Sequence, residues 1–212
     1  MRKYIVLALI LAVFTASQVF AETLNLQTLP VTTGGGYYVG AVGGNINGGT
    51  TANYYCDDFS TTTYVPSSFS VLISSLSNIG GAKFASQADA LKKYQQVGWL
   101  MNQMEINPAN IAAIQFAMWS VFTPSTPTFA DSAAWLAASA NINASSYDFS
   151  GMRIYTNPNN QEFIGGSVKE GVKEGSTAAP EPAEWMLLII GLGLITFSAY
   201  RNTTKGVVLI RA

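Results

Sequence analysis

Histidine is absent from the 212 residues, and there is a single cysteine, Cys56. Without histidine, Ser-His-Asp and Cys-His catalysis, zinc sites with imidazole ligands and the usual proton shuttle at neutral pH are excluded. A lone cysteine also excludes an intramolecular disulfide. Charged residues make up 11% of the chain and the formal net charge is −1, so we expect no nucleic-acid partner. These absences favour a protein that is not an enzyme and holds no metal or other cofactor.

An uncharged run dominates the C-terminal region. No charged residue occurs from Trp185 to Tyr200, and Pro180-Glu181-Pro182 precedes this run. As a helix the run would span about 24 Å. The flanking residues lengthen the run enough to cross a hydrocarbon core of about 30 Å if the bilayer thins locally. We therefore predict a transmembrane helix over 183–201, and the basic residues from Arg201 onward place the C-terminus in the cytoplasm.

The tail resembles the PEP-CTERM sorting signal of Gram-negative bacteria, which an exosortase in the inner membrane recognises. Pro180, Glu181, Pro182, the apolar helix and Arg201 carry the resemblance, which defines a sorting signal over 180–204. The chain departs from the family at its end, where Arg201 stands without the usual arginine cluster. The resemblance implies an exosortase and the inner membrane as partners. A plain C-terminal anchor helix is the alternative.

The N-terminus has the pattern of a signal peptide. Arg2 and Lys3 precede an apolar stretch over 4–14, and Val19-Phe20-Ala21 offers a small-residue cleavage site. We predict a signal peptide over 1–21, with a signal-anchor as the alternative. Together with the tail, it predicts passage through the inner membrane to the cell surface or extracellular matrix of a Gram-negative bacterium.

The residues between these signals predict one secreted globular domain over 22–164. Gly-rich turns and aromatic residues favour strands over 30–59. Further strands are predicted over 69–76, 152–155 and 161–164. Apolar spacing predicts a first helix capped by Ser86, a second beginning at Asn107-Pro108 and a third over 132–140. The predicted fold class is α+β, β-rich, with two or three helices packed on a sheet. Residues 165–179 lack an apolar pattern and are predicted to be a flexible linker.

Two residues of this domain offer a particular chemistry. Gln115 lies on the apolar stripe of the second helix, and Cys56 lies in an aromatic-flanked strand. A thiolate and a primary amide in contact can condense into a thioester with loss of ammonia. An amine or hydroxyl of another molecule can then open the thioester and form a covalent link. Tyr55 and Trp119 are the predicted shields against water.

Tyr55-Cys56 together with Ile114-Gln115-Phe116-Ala117-Met118-Trp119 resembles the thioester domains of bacterial surface adhesins. The resemblance covers roughly residues 35–165 and implies Cys56 and Gln115 as the thioester pair. It also implies a ligand bearing an amine or hydroxyl, on a surface or an exopolysaccharide. The spacing is shorter than in the best-known domains, and Met118 replaces the usual branched residue.

Other interpretations of these residues stay open. Cys56 as a buried thiol and Gln115 as a satisfied core amide would leave a passive component of the exopolysaccharide matrix. Asp57-Asp58 suggests a metal or acid–base pair, although neighbours on a strand point to opposite faces. Trp99, Trp119 and Trp135 fit a core better than a sugar-stacking platform.

Overall fold

The structure is a computed structural model that describes residues 22–171. The predicted signal peptide, the sorting signal with its transmembrane helix and most of the predicted linker lie outside these residues. Within residues 22–171, no helix combines the length and apolar character needed to cross a membrane.

The described domain combines a closed antiparallel β-barrel with three α-helices. The strands are β1 (Glu22–Thr28), β2 (Thr32–Gly34), β3 (Tyr37–Val39), β4 (Val42–Ile46), β5 (Ala52–Cys56), β6 (Ser67–Ser74), β7 (Tyr147–Asp148), β8 (Arg153–Thr156), β9 (Phe163–Gly165) and β10 (Lys169–Glu170). The helices are α1 (Ala90–Ile106), α2 (Ile111–Phe122) and α3 (Ser132–Ala140), and a 3₁₀ turn, Pro108–Asn110, precedes α2. The barrel closes in the order β1-β4-β5-β9-β8-β6, while β2 pairs with β3 and β7 with β10.

Alternation along the strands separates two apolar cores. Tyr54 and Cys56 of β5 belong to the core inside the barrel, whereas Tyr55 between them faces the helices. This is the two-residue period of a barrel strand, whose side chains point alternately inward and outward. The inner core collects side chains from all six barrel strands: Leu24, Leu26, Val42, Tyr54, Cys56, Val71, Tyr155 and Phe163.

The helices cover the outer face of the barrel, and α2 contributes to both cores. Its Ile114 and Met118 pack in the outer core, which also contains α1 residues such as Tyr94. Its Phe116 and Trp119 belong to the inner core instead. A short helix that is buried almost all round therefore connects the two apolar regions and brings Gln115 to the barrel.

The mixed α+β class and the three helices are confirmed, and α3 has the predicted bounds. The helices do not pack on an open sheet, because the sheet closes on itself. The predicted cap of the first helix at Ser86 is wrong. Residues 82–90 form successive turns, and α1 begins at Ala90 after Asp89, which adopts a left-handed conformation.

Strands at both ends of the described domain lie outside the predicted strand regions. The strand β1 precedes the predicted β-rich region, and its alternating Leu24 and Leu26 are fully buried. At the other end, Gly165 completes β9, Val168 is buried, and Lys169–Glu170 form β10. The domain therefore extends past Ile164 into residues that were expected to be linker.

Candidate functional site

Cys56 and Gln115 line the same cavity, which has a volume of about 260 Å³. Cys56 is the last residue of β5 and points into the barrel, while Gln115 reaches the cavity from the first half of α2. Both residues are buried. The topology thus brings together two residues that are 59 positions apart in the chain.

Three hydrogen bonds hold the Gln115 carboxamide, the longest of them from Nε2 to Met118 Sδ at 3.8 Å. Its Nε2 donates to the Cys56 carbonyl oxygen at 2.7 Å, and its Oε1 accepts from the Gly40 backbone N–H at 3.2 Å. This buried amide therefore has hydrogen-bond partners for both its nitrogen and its oxygen. A backbone N–H aimed at the amide oxygen can also stabilise the negative charge that develops there when a nucleophile attacks the carbonyl carbon.

The Cys56 thiol is buried and protonated. Its Sγ donates to the Asp58 carbonyl oxygen at 3.1 Å. Burial, followed by the neighbouring Asp57 carboxyl, raises the pKa of Cys56 well above its usual value. The free thiol is therefore no reactive thiolate, and a reaction with Gln115 has to proceed with proton transfer from sulfur.

Three aromatic rings cover this region of the cavity. The Trp119 ring lies 5.2 Å from the Phe59 ring and 5.9 Å from the Tyr37 ring, and Tyr37 and Phe59 are 5.3 Å apart. All three side chains line the cavity. Trp119 therefore lines the same cavity as Cys56 and Gln115, and Tyr37 and Phe59 are further aromatic lining residues that the sequence did not indicate.

Tyr55 does not shield this pair. It faces the helices because it alternates with Cys56 along β5, and its hydroxyl donates to Glu105 Oε1 at 3.3 Å. Burial, together with the Glu105 carboxylate, raises the pKa of Tyr55 to about 12. The aromatic residue next to the cysteine thus belongs to the outer core, contrary to the prediction.

Gly40 is a second residue that the sequence reasoning missed. Its φ of +99° lies in a region that other residues rarely adopt, and an added Cβ would lie 2.9 Å from Ile111 Cγ2. This conformation orients the Gly40 N–H toward Gln115. A glycine directly after the β3 strand pattern was the available signal.

A buried acidic cluster lies on the helix side of β5. Asp57 and Glu162 are both fully buried, and no hydrogen-bond partner within the described domain reaches either Asp57 carboxyl oxygen. Burial, followed by the charges of Glu162 and Asp58, raises the pKa of Asp57 well above its usual value. Glu162 accepts hydrogen bonds from Thr156 Oγ1, from Tyr94 Oη and from the backbone N–H of Lys83.

Asp58 is in a different state from Asp57. Its Oδ2 lies 2.5 Å from Lys83 Nζ, and its Oδ1 accepts hydrogen bonds from Ser60. Burial opposes ionisation, but the bonds from Lys83, Ser60 and Thr61 bring the pKa of Asp58 below its usual value. One acid of the Asp57-Asp58 pair is thus an ion-pair partner and the other an unpaired buried group.

The sequence also offers the acids and the tryptophans for other sites. Among the described residues, no group of three or more potential His, Cys, Asp or Glu ligands could hold a metal ion. Trp99 and Trp135 lie together at a ring distance of 6.2 Å in the helical core, where Trp99 donates to Tyr147 Oη.

Comparison with known proteins adds no family to this description. No protein-family model, curated protein or solved structure matches the chain.

Proposed function

We propose that this domain forms an internal Cys56–Gln115 thioester and uses it to attach covalently to another molecule. One observation carries the proposal: the Gln115 carboxamide is held between the Gly40 N–H and the Cys56 carbonyl, in a buried cavity that the Cys56 side chain also lines. The domain would react once and remain bound, so it would not act as an enzyme.

The bond would form by attack of the Cys56 sulfur on the carbonyl carbon of Gln115. A C–S bond forms, the C–N bond of the amide breaks, and ammonia leaves with the proton of the thiol. The Gly40 N–H would stabilise the oxygen of the tetrahedral intermediate. The cover of Trp119, Phe59 and Tyr37 would limit hydrolysis of the product by water.

The Trp119 indole favours the later step, in which a ligand opens the thioester and the Cys56 sulfur is the leaving group. Its N–H is buried and makes no hydrogen bond of normal geometry within the described domain. Trp119 lines the cavity together with Cys56, and its N–H is among the groups that oppose the rise in the pKa of the Cys56 thiol. An indole N–H beside the sulfur would stabilise the negative charge that appears there when a ligand opens the thioester.

Intact-mass measurement of the purified chain tests the thioester. We expect a mass lower by one ammonia than that of the unmodified chain, and a Cys56 thiol that alkylating reagents do not label. Methylamine should open the bond, add at Gln115 and expose the thiol. The Cys56→Ser and Gln115→Ala variants, each lacking one partner, should have their full masses and take up no methylamine.

The alternative is a passive component of the exopolysaccharide matrix. It is favoured by the satisfied state of both groups, since the thiol donates to Asp58 and the amide has partners at both ends. A full unmodified mass, with Cys56 alkylated once the chain is unfolded, would select this alternative.

We further propose that the chain is exported to the cell envelope and sorted by an exosortase. The support is the signal-peptide pattern over 1–21 and the Pro180-Glu181-Pro182 tail, both outside the described residues.

Replacement of Glu181 by alanine should make a longer, membrane-bound precursor accumulate, because the exosortase would no longer recognise the motif. Immunoblots of membrane and extracellular fractions measure this, with Glu184→Ala as the matched control. Normal processing of Glu181→Ala would contradict the sorting proposal.

A further inference from the structure

The mouth of the cavity carries exposed aromatic side chains. Tyr37 and Tyr38 of β3 both line it, and they are 42% and 56% exposed. Leu29, which is 41% exposed, lies beside them in the lining. Exposed apolar groups concentrated around a concave site mark a surface that contacts a ligand.

A second part of the cavity lining is polar but uncharged. It consists of Thr61, Thr62, Thr63 and Gln161. Two of these residues are bonded to each other, since the Gln161 backbone N–H donates to Thr63 Oγ1 at 2.8 Å, and Gln161 Nε2 also donates to the Asp58 carbonyl at 3.1 Å. Thr62 is exposed. Its hydroxyl can both donate and accept, so it can pair with a ligand hydroxyl.

Charge is missing from this cavity. Among the described residues that line it, none is Asp, Glu, Lys or Arg. The nearby acids do not compensate, because Asp58 is paired with Lys83, and Asp57 and Glu162 lie on the helix side of β5. A lysine ammonium entering here would lose its hydration without gaining a carboxylate partner.

We propose that the ligand is a neutral carbohydrate, and that one of its hydroxyl groups opens the thioester. This inference rests on the proposed function and gives it a ligand class. The exposed tyrosine rings provide faces for the apolar C–H side of a sugar, and the threonine and glutamine side chains provide partners for its hydroxyls. The ligand oxygen attacks the carbonyl carbon of Gln115 and the C–S bond breaks. The hydroxyl proton passes to the Cys56 sulfur, leaving an ester at Gln115 and a free thiol.

The experiment compares two probes on the full chain after its mass has been measured. Equal concentrations of maltohexaose and of Nα-acetyl-lysine methylamide are added, and adducts are located by peptide mass spectrometry. We expect maltohexaose to add at Gln115 through a bond that hydroxylamine cleaves, at least tenfold faster than the lysine probe adds. Tyr38→Ala should slow the sugar reaction about tenfold, the loss expected from one stacking contact, without changing the thioester content.

Tyr64→Ala is the matched control, because Tyr64 is 80% exposed and does not line the cavity. It should react like the unsubstituted chain. Faster addition of the lysine probe, or no sugar adduct on a chain that has lost ammonia, would overturn the carbohydrate proposal and leave the thioester standing. A chain of full mass would overturn the thioester and, with it, this inference.

Discussion

Replacement of Lys83 by methionine is expected to lower the free energy of unfolding by about 3 kcal/mol at neutral pH. Lys83 Nζ donates to Asp58 Oδ2 at 2.5 Å, to Thr61 Oγ1 at 2.6 Å and to the Asn160 carbonyl at 3.2 Å. Methionine keeps the apolar stem and leaves the fully buried Asp58 without its counter-ion. We place the effect at the lower end of the usual range, because Ser60 still donates to Asp58 and Lys83 is partly exposed.

The pKa of Asp58 determines how the effect of Lys83→Met on stability changes with pH. The pKa of Asp58 is lowered in the folded domain, so its contribution is present above the unfolded pKa of about 3.9 and is lost as the pH falls through the folded value. The difference between Lys83→Met and the unsubstituted chain should therefore shrink in acid.

Urea denaturation at pH 7 and at pH 3 measures the free energy of unfolding of both chains. The matched control is Lys92→Met, which removes an exposed lysine two positions from Tyr94. Equal stability of Lys83→Met and the control at pH 7 would show that the ion pair contributes nothing.

The Asp57→Asn variant is expected to be more stable than the unsubstituted chain by about 1–3 kcal/mol at pH 8, because it removes a buried charge. Asp57 is fully buried with no hydrogen-bond partner for its carboxyl oxygens in the described domain, and the acids Glu162 and Asp58 face it. Lys83 is the neighbouring cation and is already paired with Asp58. Ionising Asp57 in this position is unfavourable, and asparagine has nearly the same shape without the charge.

The raised pKa of Asp57 determines where the difference develops. Below the unfolded pKa of about 3.9, Asp57 is protonated in both states and costs nothing. As the pH rises, the unfolded chain releases the proton first, so Asp57 increasingly destabilises the folded domain until its raised folded pKa is passed. The raised pKa of Glu162 acts in the same direction in both variants.

Chemical denaturation of both chains from pH 4 to pH 8 checks this expectation, with the exposed Glu170→Gln as the control for losing an acid. A difference between Asp57→Asn and the unsubstituted chain that stays constant with pH would contradict it.

The bounds of α3 and the burial of Gln115 could be predicted, because their signals lie in residues close together in the sequence. The bounds of α3 follow from a run of nine apolar and small residues after Asp131. Gln115 was recognisable as a buried amide from the spacing of its apolar neighbours along α2. Only the cap of the first helix was predicted wrongly, because tertiary contacts determine where this helix begins. The Lys83 backbone N–H donates to Glu162 and the Phe84 backbone N–H to Tyr94 Oη, which holds residues 82–89 in turns.

The remaining features depend on contacts between distant residues. Barrel closure requires β1 to pair with β6 and β6 with β8. No spacing in one sequence specifies these pairings. The same limit applies to the site, because Gly40 meets Gln115 across 75 positions and Lys83 meets Glu162 across 79. The prediction for Tyr55 is wrong for a simpler reason: residues adjacent in the sequence of a strand have side chains that point to opposite faces.

The alternation of side chains along β5 restricts where residues can be inserted or deleted. Tyr55, Cys56 and Asp57 supply in turn the helical core, the barrel cavity and the buried acids, so one strand serves two separate environments. Inserting or deleting one residue there would exchange the two sets, turning the thiol toward the helices and the acid into the barrel. Substitutions at the exposed Ala52 and Asn53 carry no such penalty. In a lineage of related chains, length changes should therefore collect in the exposed turn before β5 and be absent from 54–57.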